Sequence, residues 1–173
     1  MRIIAGKFAG RDLTSPADRR VRPTAESVRG ALLDMIATEV AGARVLDLFA
    51  GTGALGLEAI SRGARSADFV EFLPASLHAL RANVAALRLR EHTRIFKRDA
   101  IAFTATLKTG SYEFAFADPP YTSRLLERVL ETWRGNHFSR LLAFEHARDH
   151  QLPGGFLHKR FEETAITIYR APR

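Results

Sequence analysis

Asp118-Pro119-Pro120-Tyr121 puts a carboxylate, backbone carbonyls and an aromatic ring within four residues. Both prolines lack an N–H, so they donate nothing that would compete for the segment's acceptors. An exocyclic amine on an aromatic base is a poor nucleophile, because its lone pair is delocalised into the ring. A carboxylate and a carbonyl accepting its two N–H groups favour a tetrahedral nitrogen with its lone pair free, and tyrosine supplies a face for stacking. A second cluster runs from Asp47 to Gly56 and contains G-x-G-x-x-G at Gly51, Gly53 and Gly56, with Glu71 following 20 residues after Gly51. Glycines at that spacing permit a tight turn and close approach of a ligand to the backbone, and the acid can hold a ribose hydroxyl. This much fits any adenosine-containing cofactor, nicotinamide dinucleotides included. Asp47 shifts the reading: a carboxylate four residues before Gly51 suits a ligand carrying an ammonium group and repels a pyrophosphate. S-adenosyl-L-methionine is the cofactor with that charge pattern. Asp99 could meet its adenine amino group and reads equally well as a helix N-cap.

The elements that must position these groups alternate along the chain. Residues 1–23 read as a short β-hairpin and loop punctuated by Gly6, Gly10, Pro16 and Pro23. Thr24 can cap a helix with Val28, Leu32, Leu33 and Ile36 on its apolar side, ended by Gly42. Strands are expected at 44–49, 67–71, 93–97, 113–117 and 141–145. Helices are expected at 54–62, 75–89, near 102–107 and at 125–133, with a closing antiparallel pair at 156–160 and 164–170. Such alternation with short apolar strands predicts an α/β fold, a doubly wound and mostly parallel sheet. In that fold the first and fourth strands flank the topological switch point, where ligands bind at the strand carboxyl ends. The glycine loop and the Asp-Pro-Pro-Tyr segment should therefore face one another. A stacked base could not reach such a cleft, so the target nucleotide is expected to be single-stranded or flipped out.

The chain has 173 residues, 46% hydrophobic, without cysteine, and a net charge of +7. This length fits a single domain, and the composition is that of a globular protein. No apolar run is long enough to span a bilayer and no secretory leader is evident, which predicts a cytoplasmic location. A disulfide framework and a thiolate nucleophile are excluded. Residues 1–30 hold seven cations (Arg2, Lys7, Arg11, Arg19, Arg20, Arg22, Arg29) against three anions, a net +4. Arginine predominates, and its planar fork suits phosphate. Residues 1–40 thus read as an RNA-binding extension on a catalytic core of 41–173 or, on charge alone and equally well, as carrying a solvated, solubilising face. The basic stretch Arg88, Arg90, Arg94, Lys97 and Arg98 is either a wider footprint or ordinary charged surface. The histidines lack metal-ligand spacing, so no metal is expected; His146 and His150, four apart, are expected at the surface, and Trp133 in the core.

Nearly end to end, the sequence resembles the RsmD-type bacterial methyltransferases that modify N2 of a guanine in 16S ribosomal RNA. The likeness is carried by Arg2 to Phe8 with Gly10-Arg11, by Arg22-Pro23-Thr24 and Val28-Arg29, by Asp47 to Ala59, by Val70-Glu71, and by Asp118 to Tyr121. The resemblance implies a Rossmann-like fold with a small N-terminal hairpin and helix. It implies cofactor contacts at Asp47, Gly51, Gly53, Glu71 and Asp99, with Phe49, Thr52, Phe72 and Ala100 beside them. Base handling falls to Asp118, Pro119, Pro120 and Tyr121, and RNA contact to Arg2, Lys7, Arg11, Arg22, Thr24 and Arg29. The partner is then ribosomal RNA within the small subunit or its precursor, and a monomer is expected. Family members often carry an acid two places after the residue matching Glu71; Leu73 stands there in this chain.

Other readings of the same residues are a methyltransferase for adenine N6 or another exocyclic amine, and an RNA-binding assembly factor that keeps the fold. A nicotinamide oxidoreductase fits less well, because of Asp47 and the lack of an evident hydride-transfer acid.

Overall fold

The apolar, β-branched and aromatic runs of this chain form strands wherever they are short and bounded by turns, and helices where the apolar spacing widens to three and four. A computed structural model describes residues 1–16, 26–120 and 124–172. In chain order the elements are α1 (Glu26–Met35), α2 (Ala37–Val40), β1 (Arg44–Leu48), α3 (Ala54–Ser61), β2 (Ser66–Glu71) and α4 (Pro74–Ala86). There follow β3 (Thr93–Lys97), α5 (Ala100–Ala105), β4 (Tyr112–Ala117), α6 (Leu125–Asn136), β5 (Ser139–Ala147), β6 (Leu157–Arg160) and β7 (Thr164–Arg170). The sheet order is β3-β2-β1-β4-β5-β7-β6. β1 to β5 run parallel, and β7 pairs antiparallel with both β5 and β6. The doubly wound expectation holds, with one addition: β7 inserts between β5 and β6 rather than merely closing a terminal hairpin.

Two apolar layers cover the sheet. Val45, Phe114, Phe116, Leu141, Ala143, Ile166 and Ile168 face the side of α1 and α3. Leu46, Leu48, Ala115, Ala117, Leu142 and Phe144 face α5 and α6. Adjacent residues on these strands thus point to opposite faces, the two-residue period of a pleated strand. Trp133 lies in the second layer, as expected, and its indole N–H donates to the Ser139 carbonyl at 2.9 Å.

α3 is buried on every side, which its sequence, Ala-Leu-Gly-Leu-Glu-Ala-Ile-Ser, allows. Gly56 lets it approach the sheet; a Cβ there would meet the Phe69 ring at 2.5 Å. Its other side is covered by the N-terminal segment. That segment is less regular than the expected hairpin: one bridge joins Arg2 to Asp12, supported by Ile3 N–H to the Arg11 carbonyl and Gly10 N–H to the Ile3 carbonyl. Its turn lies so close on α3 that a Cβ on Gly6, at φ 84°, would fall 1.9 Å from the Ser61 carbonyl oxygen. The first helix, expected to run on to Gly42, breaks at Ile36 (φ −125°) into α1 and α2. Its expected cap, Thr24, lies outside the described residues.

Candidate active site at the strand carboxyl ends

Chain leaving β1 winds one way to β2 and β3, then returns to place β4 on the other side, so β1 and β4 part at their carboxyl ends. Asp47 lies on β1 between Phe69 of β2 and Phe116 of β4. It is only 2% exposed and accepts the Gly56 N–H at 2.9 Å. Burial pushes its carboxyl up to about 8; the Gly56 hydrogen bond opposes this, while negative Asp118 and Glu71 add to it. Asp47 is thus largely protonated at neutral pH in the ligand-free protein, and a neighbouring cation would favour its charged form.

Glu71 ends β2 facing the glycine turn. One of its oxygens accepts the Gly51 N–H at 2.7 Å; the other accepts the N–H groups of Phe72 and Leu73, also at 2.7 Å. Three backbone donors hold this carboxylate in place. Gly51 has φ 57° and nothing within 4 Å of where a Cβ would stand, so its open side faces unfilled space. Gly53, at φ 79°, is constrained from inside instead, with Leu80 2.4 Å from a Cβ position. Phe49 takes φ 58° without being glycine, a conformation costing about 1–3 kcal/mol and found mainly where surroundings enforce it. Thr52 is buried, while Phe72 and Leu73 beside Glu71 are exposed apolar side chains.

Asp99 caps α5, its Oδ1 accepting the Ala102 N–H at 2.8 Å, with Ala100 buried behind it. This is the capping alternative noted from sequence. Asp118 follows β4 directly, half-buried, with Pro119 buried and Pro120 exposed. It is near enough for its charge to act on Asp47, which brings the residue after β4 close to the carboxylate on β1. Tyr121 lies outside the described residues.

The N-terminal candidates separate. Arg2 is exposed and pairs with Glu26 at 3.4 Å. The Lys7 ammonium stands 5.4 Å from the centre of the Phe8 ring, and Arg11 reaches the Ala86 carbonyl at 3.4 Å; both are exposed. Arg22 and Thr24 lie outside the described residues. Arg29 corrects an expectation. Its side chain is 0% exposed, faces Glu58 at 3.7 Å and donates to the Arg2 carbonyl. A guanidinium buried this way cannot reach a phosphate, so Arg29 is part of the frame.

Glu58, to which sequence assigned no role, organises that frame. Its carboxylate is fully buried and accepts the N–H groups of Ile4 (2.7 Å) and Ala5 (2.9 Å), with Arg62 at 3.0 Å on the same oxygen as Ala5. Asn83 forms a second tie: it accepts Thr14 N–H at 2.7 Å and donates to the carbonyls of Thr14 and Thr52, each at 3.0 Å. The N-terminal segment is thereby hydrogen-bonded, through one buried amide, to the glycine loop. A lone acid inside an otherwise apolar helix was the legible signal for Glu58; Asn83 had none.

His146 corrects a second expectation. It is buried, its Nε2 2.9 Å from the Thr167 hydroxyl, and burial lowers its pKa. His150 pairs with Glu127 at 3.0 Å. Arg94, in the basic stretch, grips buried Asp68, which also accepts the Tyr112 hydroxyl at 2.6 Å. No metal-holding group of side chains occurs among the described residues, and no helix among them is long and apolar enough to cross a membrane. A groove of about 600 Å³ between α1 and Lys159 holds none of the strand-end residues.

A parallel sheet with its switch point between β1 and β4, a glycine turn after β1 and an acid ending β2 is the Rossmann-like fold of S-adenosylmethionine-dependent methyltransferases. The chain superposes on yhhF of Escherichia coli, provisionally named a methyltransferase, with TM-score 0.85 and 32% identity over 98% of this chain and 97% of that one. The family model described as Conserved hypothetical protein 95 matches residues 1–167, and the chain belongs to that family, the RsmD-type methyltransferases. It is 38% identical over 136 residues to ribosomal RNA small subunit methyltransferase D of E. coli, covering 79% of this chain and 68% of the relative. To YlbH of Bacillus subtilis, provisionally named an rRNA methyltransferase, it is 32% identical over 98% of both chains.

Proposed function

We propose that this protein transfers a methyl group from S-adenosylmethionine to the exocyclic N2 amine of a guanine in 16S ribosomal RNA of the small subunit. The observation that carries the reading is the meeting of Asp47, the glycine turn with Glu71, and Asp118 at one switch-point cleft. The small-subunit substrate comes from the name of the E. coli relative.

The cleft fits the cofactor in its donor chemistry. Glu71, fixed by three N–H groups, presents a carboxylate for ribose hydroxyls. Asp47 offers a buried carboxyl that an ammonium group would ionise, the open side of Gly51 admits a ligand against the backbone, and exposed Phe72 offers an apolar shelf. When bound, S-adenosylmethionine supplies an electrophilic methyl group on a sulfonium. Asp118 and the Pro119 carbonyl accept the two N–H groups of the amine and hold its lone pair in line. Methyl transfer would leave the amine nitrogen positively charged, and the Asp118 side would receive the proton it then sheds and pass it to water. No covalent intermediate with the protein is needed. The rate gain rests on alignment and on negative charge beside a nitrogen that becomes positive.

Exposed Lys7 and Arg11 remain in the proposed RNA footprint, with Arg2 partly neutralised by Glu26. The whole reading is tested by methyl transfer from labelled S-adenosylmethionine to small ribosomal subunits lacking the modification, followed by nucleoside mass spectrometry. N2-methylguanosine at one site is expected. Methyladenosine would discard the guanine assignment, and no transfer to subunits or naked RNA would discard the RNA reading.

Asp47 gives the reading a pH signature. Its native pKa is raised, so the native state holds more protons than the unfolded chain between about 4 and about 8. The stability it contributes is complete below that window and is lost as pH rises through it. Cofactor binding should run the other way. An ammonium ligand draws Asp47 into its charged form, releasing a proton, so affinity for S-adenosylhomocysteine should strengthen from pH 6 to 8. Calorimetry in two buffers of different ionisation heat reads that proton directly. Asp47→Asn should bind more weakly at pH 8 and release none; proton release unchanged in that variant would refute the assignment.

A further inference from the structure

β5 lies beside β4, and the last registered pair between them joins Ala117 to Phe144. The next residue after each of these is an acid: Asp118, directly following β4, and Glu145, still within β5. The alternation of the two core layers fixes the face of Glu145. Ala143 belongs to the layer on the α3 side and Phe144 to the other, so Glu145 returns to the α3 side; Asp118, just past the end of β4, is near enough for its charge to act on Asp47. Asp47, between Leu46 and Leu48 of the opposite layer, is on that side too. Ile166, opposite Glu145 on β7, also belongs to the α3-side layer. Glu145 is 3% exposed. It is therefore a buried acid on the α3-side face, on the strand next to the one that leads into Asp118, where aliphatic side chains otherwise prevail and a charged group is costly to place.

We propose that Glu145 selects guanine over adenine, accepting the N1–H of the base whose N2 amine is held by Asp118. This inference rests on the guanine reading above and adds to it the residue that reads the base. Guanine carries two donors side by side on its Watson–Crick edge, the N2 amine and N1–H. Adjacent strands stand about 4.8 Å apart, so carboxylates on neighbouring strands can address neighbouring groups on one base edge. Paired with N1–H, the Glu145 carboxylate acts as an acceptor only. Adenine, with its N6 amine at Asp118, would turn the lone pair of N1 toward Glu145. Acceptor would then face acceptor in a water-poor floor, and a site built this way rejects the wrong base strongly. Asp-Pro-Pro-Tyr alone handles any exocyclic amine; the discrimination comes from the adjoining strand.

The test uses the full-length protein on small ribosomal subunits carrying either guanine or adenine at the modified position, with the product identified by nucleoside mass spectrometry. Wild type should give N2-methylguanosine and at least 100-fold less methyladenosine. Glu145→Gln, whose amide can donate to adenine N1, should lower guanine transfer about 100-fold and move the guanine-to-adenine product ratio at least 10-fold toward adenine. Its S-adenosylhomocysteine affinity should stay at the wild-type value. Glu145→Asp keeps an acceptor and should retain the wild-type ratio at a reduced rate, which covers the case where the glutamine variant does not fold. Guanine transfer that falls with the ratio unchanged in Glu145→Gln, or a ratio that shifts in Glu145→Asp, would overturn the assignment and leave the guanine reading intact. Methyladenosine from the wild type would overturn both.

Discussion

Asp118→Ala should lower methyl transfer by roughly 10²–10³-fold, the usual effect of removing one group that stabilises developing charge, while leaving cofactor binding intact. The expectation follows from placement. Asp118 follows β4, across the switch point from Glu71 and the glycine turn, and the described hydrogen bonds that shape that turn are made by Glu71, Asp47 and the backbone. Its one described link to the cofactor side is electrostatic: its charge helps keep Asp47 protonated. Removing that charge should ease ionisation of Asp47, so affinity for S-adenosylhomocysteine near neutral pH should hold or improve slightly. Single-turnover rates on small subunits, paired with calorimetry, separate the two effects. Cofactor affinity falling in step with rate would place Asp118 on the cofactor side and undo its role as the acceptor for the amine. Asp118→Asn is informative as well, because it keeps the shape while introducing a donor that competes with the substrate's own N–H groups.

The largest effect on stability is expected at Glu58. Glu58→Ala would strand the Arg29 guanidinium, which is 0% exposed, and would take the acceptors from the Ile4 and Ala5 N–H groups. Breaking one side of a buried ion pair costs about 3–5 kcal/mol. At about 2–4 °C per kcal/mol for a chain of this size, the melting temperature should drop by roughly 6–20 °C. The N-terminal segment should loosen first, since Glu58 is one of the two α3 residues that tie it down, with Ser61, and amide exchange at Ile4 and Ala5 should speed up more than at β1. Replacing both charges together, as in Arg29→Met with Glu58→Leu, should recover much of the loss, because the desolvation cost of the pair goes with it. A Glu58→Ala chain within about 1 kcal/mol of wild type, the range of an exposed pair, would show that the clamp contributes little.

Much of this protein can be read locally. The runs Arg44–Leu48, Thr93–Lys97 and Thr164–Arg170 are strands because β-branched and apolar residues at those spacings suit a pleated surface with turns on either side. The order of strands and helices follows from their alternation, and with it the nearness of Asp47 and Asp118, since parallel strands with right-handed crossovers leave few topologies. Asp47 was legible as out of place, a charge where a strand interior calls for an apolar residue.

What could not be read locally depended on partners distant along the chain. Arg29 looks like surface charge beside Lys7 and Arg11; only the packing of α1 against α3 buries it on Glu58, 29 residues away. His146 looks polar and exposed until β7 closes over it, bringing Thr167 to its ring. β7 itself has a strand's composition, but its place between β5 and β6 was decided by which sheet edge offered free ladder groups and an apolar face to cover. Glu145 has nothing unusual about it in sequence, and becomes a candidate for reading the base only because β5 lies beside β4 in a register whose last pair, Ala117 and Phe144, immediately precedes Asp118 and Glu145. Spacing along the chain encodes backbone geometry and the chemistry a short segment can do. Burial, ionisation and the choice of partner are set by which surfaces meet, and for this protein only the tertiary structure decided those.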